Sequence, residues 1–236
     1  MLIDMHAHSS GISRCCRVTC EEAIRQTLDA GMDGIVLTNH YQKKYLSDCD
    51  AATFAARYVE EFQRAREYGE RVGCRVYFGI EVTMERHEGA HLVIYGVDER
   101  FVMENPTMFE LSQEQLHGLV RAAGGVLIQA HPYRQKKHLL DVRFLDGVEV
   151  NCHPLYESSE FEAMLEIAKG NALLLTCGGD FHADTYRPKC GVYLPDSLSD
   201  GVALGRYLLS AEELRLCVHE KRTGESFDFL YPCPKR

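Results

Sequence analysis

Six apolar runs scattered along the chain each lead into residues of metal-binding type: Asp4-x-His6-x-His8, Asn39-His40, Glu81, His91, Ala130-His131-Pro132 and Asp180-x-His182. That repetition constrains the fold more than any other feature. Imidazoles and carboxylates are the groups that zinc, iron and manganese bind. Groups so far apart in sequence meet only if separate strands deliver them to one place. Residues i and i+2 on an extended segment point to the same side, so Asp4, His6 and His8 share a face, as do Asp180 and His182. A single His-x-His is as often chance as design, and His40, His91 or His131 alone would more often be a satisfied histidine at a strand end. The set together argues against chance. Glu81 follows Gly79-Ile80, where a buried carboxylate needs a partner; a cation meets that need, and a carboxylate can bridge two cations.

The hydrophobic pattern alternates strands with helices. Strands are expected at Leu2–Met5, Gly34–Thr38, Arg75–Ile80, His91–Gly96, Val126–Ala130, Gly147–Asn151 and Leu173–Cys177. Helices are expected at about Thr19–Ala30, Ala51–Arg71, Ser112–Ala123 and Ser158–Lys169, the first capped by Thr19 with Glu22 and stopped by Gly31. Continuous apolar strands joined by helices indicate an α/β fold with a parallel sheet covered on both faces, and such sheets close into barrels with their chemistry at the strand C-termini. His91 opens its strand instead of ending it. It is read as a ligand delivered from the preceding loop.

A length of 236 residues suits one domain, with the motif-bearing part at about 1–183 and a closing segment at 190–236. A hydrophobic content of 45% excludes disordered and fibrous classes. The start carries no leader pattern, and no stretch approaches the ~20 apolar residues that cross a bilayer, so a cytoplasmic protein is expected. The ten cysteines form no compact framework and read as reduced thiols. A net charge of −9 disfavours nucleic acid and favours a small substrate, although bound cations would make the pocket locally positive.

The ordered motifs Asp4-x-His6-x-His8, Thr38-Asn39-His40, Gly79-Ile80-Glu81, His91, His131-Pro132 and Gly179-Asp180-Phe181-His182 resemble those of the PHP (polymerase and histidinol phosphatase) family. The resemblance implies a distorted (β/α)7 barrel and a metal-dependent phosphoesterase with two or three divalent ions, Zn, Mn or Fe. Carried over residue by residue, His6, His8, Glu81 and Asp180 would hold one ion. Glu81 would bridge to a second held by His91 and His131, and His40 with His182 would hold a third. Asp4 would orient an imidazole. Two departures bear on the third ion. Asn39 stands where relatives have Asp, and the loop Ser9–Val18 lacks the Asp or His they place there, leaving Cys15 or Cys16 as a substitute or as plain loop cysteines.

Water between two such cations loses a proton near neutral pH and attacks phosphorus, so no protein nucleophile is needed. Arg134, just beyond His131, is a candidate phosphate-binding arginine with Lys136 and Lys137 beside it; Arg14, Arg17 and Arg187 are further candidates. His153 is a candidate general acid. His87, His117, His138 and His219 are expected at the surface. The expected substrate is a small phosphomonoester, such as histidinol phosphate or a nucleotide, with a short oligonucleotide end the only nucleic acid considered and no membrane partner. Two other readings are an amidohydrolase-type metal hydrolase and a noncatalytic metal-binding sensor.

Overall fold

The computed structural model describes residues 1–133, 138–153, 161–183 and 187–235. The chain opens with β1 (Leu2–Ala7), every residue of which is buried, and crosses through α1 (Cys20–Asp29) to the parallel β2 (Gly34–Leu37). The expected capping box starts α1: Thr19 Oγ1 accepts from the Glu22 N–H at 3.3 Å, and the Glu22 carboxylate accepts from the Thr19 N–H at 2.8 Å. Gly31 beyond the helix lies in the left-handed region (φ 74). The 22-residue α2 (Ala51–Val72), capped by Asp50 and ended by left-handed Gly73, leads to β4 (Arg75–Phe78), parallel to β2.

Here two strands change sheet. The segment of β2 resumes after Asn39 as β3 (His40–Tyr41), and that of β4 resumes after Gly79 as β5 (Ile80–Met84). A Cβ at Gly79 would lie 2.7 Å from Val36 and 2.8 Å from Thr38, so only glycine permits this approach. The expected single strand Arg75–Ile80 is therefore split.

The next strand, β6 (Ala90–Tyr95), runs antiparallel to both β5 and β7 (Val126–Gln129). A parallel crossover needs a dozen or more residues, whereas the link from Met84 to Ala90 is a short turn through left-handed Glu88 (φ 52) and Gly89 (φ 69). The sheet is therefore mixed, and not the fully parallel one expected from the sequence. Helices α3 (Glu99–Glu104) and α4 (Gln113–Ala122) precede β7, and α4 carries a second capping box, Ser112 with Gln115. Parallel strands β8 (Gly147–Asn151) and β9 (Leu174–Gly178) follow, joined through α5 (Phe161–Gly170).

The closing segment adds β10 (Gly191–Tyr193), α6 (Gly201–Ser210), β11 (Glu213–Glu220) and β12 (Glu225–Pro232). The result is two six-stranded mixed sheets, ordered β12-β11-β10-β1-β2-β4 and β3-β5-β6-β7-β8-β9. A closed (β/α)7 barrel is not what forms. The reason lies at β1, whose one edge pairs with β2 while the other takes antiparallel β10. Among the described residues β9 packs against β1 without a ladder, and the backbone bonds between them come just past its end, through an Ala7–Phe181 bridge and the Asp180 N–H donated to His6 O at 2.8 Å. One contiguous apolar core lies between the strands and the helices. Among the described residues, no helix is long and apolar enough to cross a membrane.

Candidate metal centre

All eight residues singled out by type and spacing meet in one buried cluster. His6 lies in β1 and His8 just after it. His40 in β3 stands in register with Glu81 in β5. His91 lies in β6 opposite Thr83, while His131 and Asp180 each stand two residues beyond a parallel strand, after β7 and β9. The reversed direction of β6 accounts for His91: the start of an antiparallel strand lies at the same end as the finish of its parallel neighbours. It belongs to the strand and not to the loop before it.

Glu81 is the hub. Its Oε1 lies 2.8 Å from His91 Nδ1, 3.0 Å from His131 Nε2 and 3.4 Å from His6 Nε2; its Oε2 lies 2.5 Å from His40 Nδ1 and 3.5 Å from His8 Nε2. Asp180 Oδ1 lies 3.1 Å from His8 Nε2, and 3.5 Å from both His6 Nε2 and His182 Nδ1. His182 Nε2 is 3.4 Å from His40 Nε2. Among the described residues, three sets have ligand atoms close enough to share an ion: His6, His8, Glu81 and Asp180; His40, Glu81 and His91; and His8, His40 and His182. The first is the set carried over for one ion. In the second His40 stands with Glu81 and His91, and His131 adjoins through Glu81.

The donor set suits cations on physical grounds. His6 Nε2 and His131 Nδ1 are buried without a hydrogen-bond partner among the described residues, a costly state for polar atoms in an apolar interior. Burial pushes His91 down to about 3 despite Glu81, so its ring is neutral, as a ligand must be. Burial also lowers His8, whereas at His40 burial is outweighed by the Glu81 carboxylate and Cys15, which raise the ring to about 9. At Glu81 and Asp180 burial is likewise outweighed by the surrounding imidazoles, which hold both well below the usual carboxylate range.

Supporting groups fix the cluster. Glu149 Oε1 lies 2.7 Å from His6 Nδ1, and Glu149 Oε2 accepts from the His131 N–H at 3.2 Å and from Asn151 Nδ2 at 3.3 Å. Asn151 Nδ2 also reaches Asp180 Oδ2 at 3.4 Å. Sequence reasoning missed Glu149, although a carboxylate within the apolar run Gly147–Asn151 carries the same signal as Glu81. Asp4 does not orient an imidazole: its carboxylate accepts from the His6 and Gly179 N–H groups at 3.0 and 2.8 Å and pairs with Arg187 at 2.7 Å. His131 (φ 30) and Asp180 (φ 47) adopt left-handed backbone, strain that persists where surrounding bonds over-determine it; here Glu149 and His6 O hold their N–H groups.

Asn39 has a structural reason of its own. Its Oδ1 accepts from the Ser9 N–H and Ser13 Oγ, both at 2.8 Å, and its Nδ2 donates to Ser9 Oγ at 3.0 Å. Ser13 Oγ lies 3.1 Å from His8 Nδ1 and accepts from the His40 N–H at 3.0 Å, so Asn39 positions two of the imidazoles.

Of the remaining candidates, His153 is buried, with its ring centroid 6.3 Å from that of His182. Arg134, Lys136 and Lys137 lie outside the described residues. Arg187 is no phosphate arm, being 5% exposed and paired with Asp4, and Arg14 pairs with Asp48 at 2.8 Å. Cys15 stands at the His40–His182 side; burial would raise its thiol, but hydrogen bonds with His182 and His40 bring it down to about 6. His219 is buried in β11 beside Ser226 instead of lying at the surface.

Several solved structures share this fold. The chain covers 93% of its own length and 65% of a two-domain Bacteroides vulgatus protein containing a predicted PHP-like metal-dependent phosphoesterase (TM-score 0.65, 17% identity). It thus spans just under two thirds of that protein. A Bifidobacterium adolescentis protein provisionally designated a metal-dependent phosphoesterase aligns over 88% of this chain and 95% of its own (TM-score 0.54, 17% identity). PsfC of Pseudomonas syringae aligns over 86% of each chain (TM-score 0.61, 20% identity). No family model matches the sequence, and no curated protein is similar to it in sequence. At these identities the likeness establishes the fold, which is the fold of proteins so designated and supports the resemblance drawn from the motifs.

Proposed function

We propose that the chain is a metal-dependent phosphoesterase acting on a small phosphomonoester. One observation carries this reading: six histidines and two acids from separate strands converge in one buried cluster, with Glu81 within 3.5 Å of five imidazoles. His6, His8, Glu81 and Asp180 would hold one ion, Glu81 would be shared with a second near His91 and His131, and His40 with His182 would serve a third. When bound, such ions acidify water and neutralise phosphoryl oxygens.

The protein groups have separate tasks. Glu149 keeps the His6 Nδ1 proton in place and so leaves Nε2 for an ion. His153, whose ring centroid lies 6.3 Å from that of His182, would give a proton to the leaving alkoxide oxygen. Arg134 would bind the phosphoryl oxygens, a role resting on its place three residues beyond His131 in the sequence. The net charge of −9 favours a small substrate over a polyanion.

Elemental analysis of the purified protein, paired with p-nitrophenyl phosphate hydrolysis before and after chelation, tests the reading. The expected result is two or more ions per chain and hydrolysis that chelation abolishes and that His6→Ala and Asp180→Ala both lack. Metal-free protein that resists reconstitution would overturn it, and hydrolysis of amides but not phosphates would replace it with the amidohydrolase reading.

A further inference from the structure

One hydroxyl beside His8 has no freedom in where its proton goes. Ser13 Oγ is buried and has three polar neighbours: Asn39 Oδ1 at 2.8 Å, the His40 N–H at 3.0 Å and His8 Nδ1 at 3.1 Å. A serine hydroxyl brings one proton and two accepting lone pairs. The His40 N–H occupies one lone pair, so the proton goes either to Asn39 or to His8.

The orientation of Asn39 decides between them. The Ser9 backbone N–H lies 2.8 Å from the Asn39 amide, and a backbone N–H only donates, so it meets the oxygen Oδ1. The other end of the amide agrees. Ser9 Oγ commits its proton to Glu61 Oε1 at 2.6 Å, a carboxylate also held by Arg64 at 2.9 Å, and therefore only accepts from Asn39 Nδ2 at 3.0 Å. The loop lies tight against that carboxylate, where a Cβ at Gly11 would collide with it. With Oδ1 turned to Ser13, two oxygens 2.8 Å apart need a proton between them, and the amide oxygen has none to give. The proton is that of Ser13.

Only a lone pair of Ser13 is then left for His8, and Nδ1 has to be the donor. We propose that Ser13 is a positioning residue that fixes His8 as the tautomer with its proton on Nδ1 and so leaves Nε2 to an ion. The inference rests on the metal-dependent reading above. His8 Nε2 lies 3.1 Å from Asp180 Oδ1 and 3.5 Å from Glu81 Oε2, so with Nδ1 committed it meets those acidic oxygens only through an ion or a second proton. His6 is held in the same tautomer by a carboxylate, Glu149, whereas His8 is held by a neutral hydroxyl whose own proton is directed by the chain from Glu61 through Ser9 and Asn39.

A two-bond proton–nitrogen correlation spectrum of the zinc-loaded protein, its histidines labelled with heavy nitrogen, reads the tautomer directly and needs no variant. His8 is expected to carry a proton on Nδ1 and none on Nε2. Chelator competition tests the cause. Ser13→Ala should lose about 10- to 100-fold in zinc affinity, with circular dichroism showing that it is folded. Asn39→Asp still offers Ser13 an acceptor, so it should keep the His8 tautomer and bind zinc no more weakly than wild type although it is less stable. A merely structural role would make affinity fall with stability in both variants. A bare Nδ1 on His8, wild-type zinc affinity in Ser13→Ala, or weakened zinc binding in Asn39→Asp overturns the proposal and leaves the phosphoesterase reading standing. A protein that takes up no metal overturns both.

Discussion

Replacing Glu149 by glutamine removes one charge and no volume, yet the geometry gives it a defined consequence at His6. The carboxylate accepts on both oxygens: from His6 Nδ1 at 2.7 Å, and from the His131 N–H and Asn151 Nδ2 at 3.2 and 3.3 Å. A glutamine has one accepting oxygen. If that oxygen serves His6, the amide NH2 faces the His131 N–H, and a buried donor left unpaired costs about 1–3 kcal/mol. If the NH2 faces His6 instead, it favours the tautomer with the proton on Nε2, the atom 3.4 Å from Glu81 and 3.5 Å from Asp180 that an ion would use. Either orientation penalises the ion-binding form, and we expect metal affinity to fall about 10- to 100-fold, equivalent to about 1.4–2.8 kcal/mol. Competition against a chromogenic chelator measures it, with circular dichroism confirming that the variant is folded. Wild-type affinity in Glu149→Gln would refute the reasoning.

Asn39→Asp should destabilise by about 1–3 kcal/mol, because Ser9 Oγ already donates to Glu61 at 2.6 Å and would face a second carboxylate in place of the Asn39 amide donor; urea unfolding measures the loss, and Asn39→Asp with Glu61→Gln should recover part of it. Arg187→Met should be more severe, about 3–5 kcal/mol, since it leaves the buried Asp4 carboxylate without its cation; an unfolding midpoint equal to wild type would contradict the pairing. His40 sets a pH dependence in the metal-free protein. Its folded value of about 9 exceeds the ordinary 6.5, so the stabilisation it confers is complete below 6.5 and is lost as pH rises through 9. The melting temperature of chelated protein should therefore fall across that window more than that of His40→Gln. For the same reason metal loading at pH 7 should release a proton, visible as a dependence of binding heat on the buffer's ionisation enthalpy.

The eight cluster residues were legible because a polar residue that closes an apolar run must find a chemical partner where the run is buried, and the helix starts at Thr19 and Ser112 because their caps are local chemistry. Strand direction was not legible from periodicity, which is the same either way. The few residues between Met84 and Ala90 did carry the information, being too short for a crossover, and they also account for His91 beginning its strand. Glu149 escaped notice because a carboxylate inside an apolar run reports burial without naming its partner. Arg187 looked like a phosphate ligand because guanidinium chemistry is the same toward Asp4 as toward phosphate, and only the fold decides which it meets. The barrel failed to close for a reason far away in sequence, the pairing of β10 with β1.

Where β9 faces β1 the two strands share no ladder, yet His8 and Asp180, 172 residues apart, meet there at 3.1 Å. Holding ends so distant together works against chain entropy, and an ion that binds only the joined form adds about 2.7 kcal/mol at a hundredfold excess over its dissociation constant. The centre is then also a clasp. Amide hydrogens around Gly179 and Asp180 should exchange faster after chelation while those of β5 and β6 change little, and the cell's supply of metal would govern how often the first and last strands of the site part.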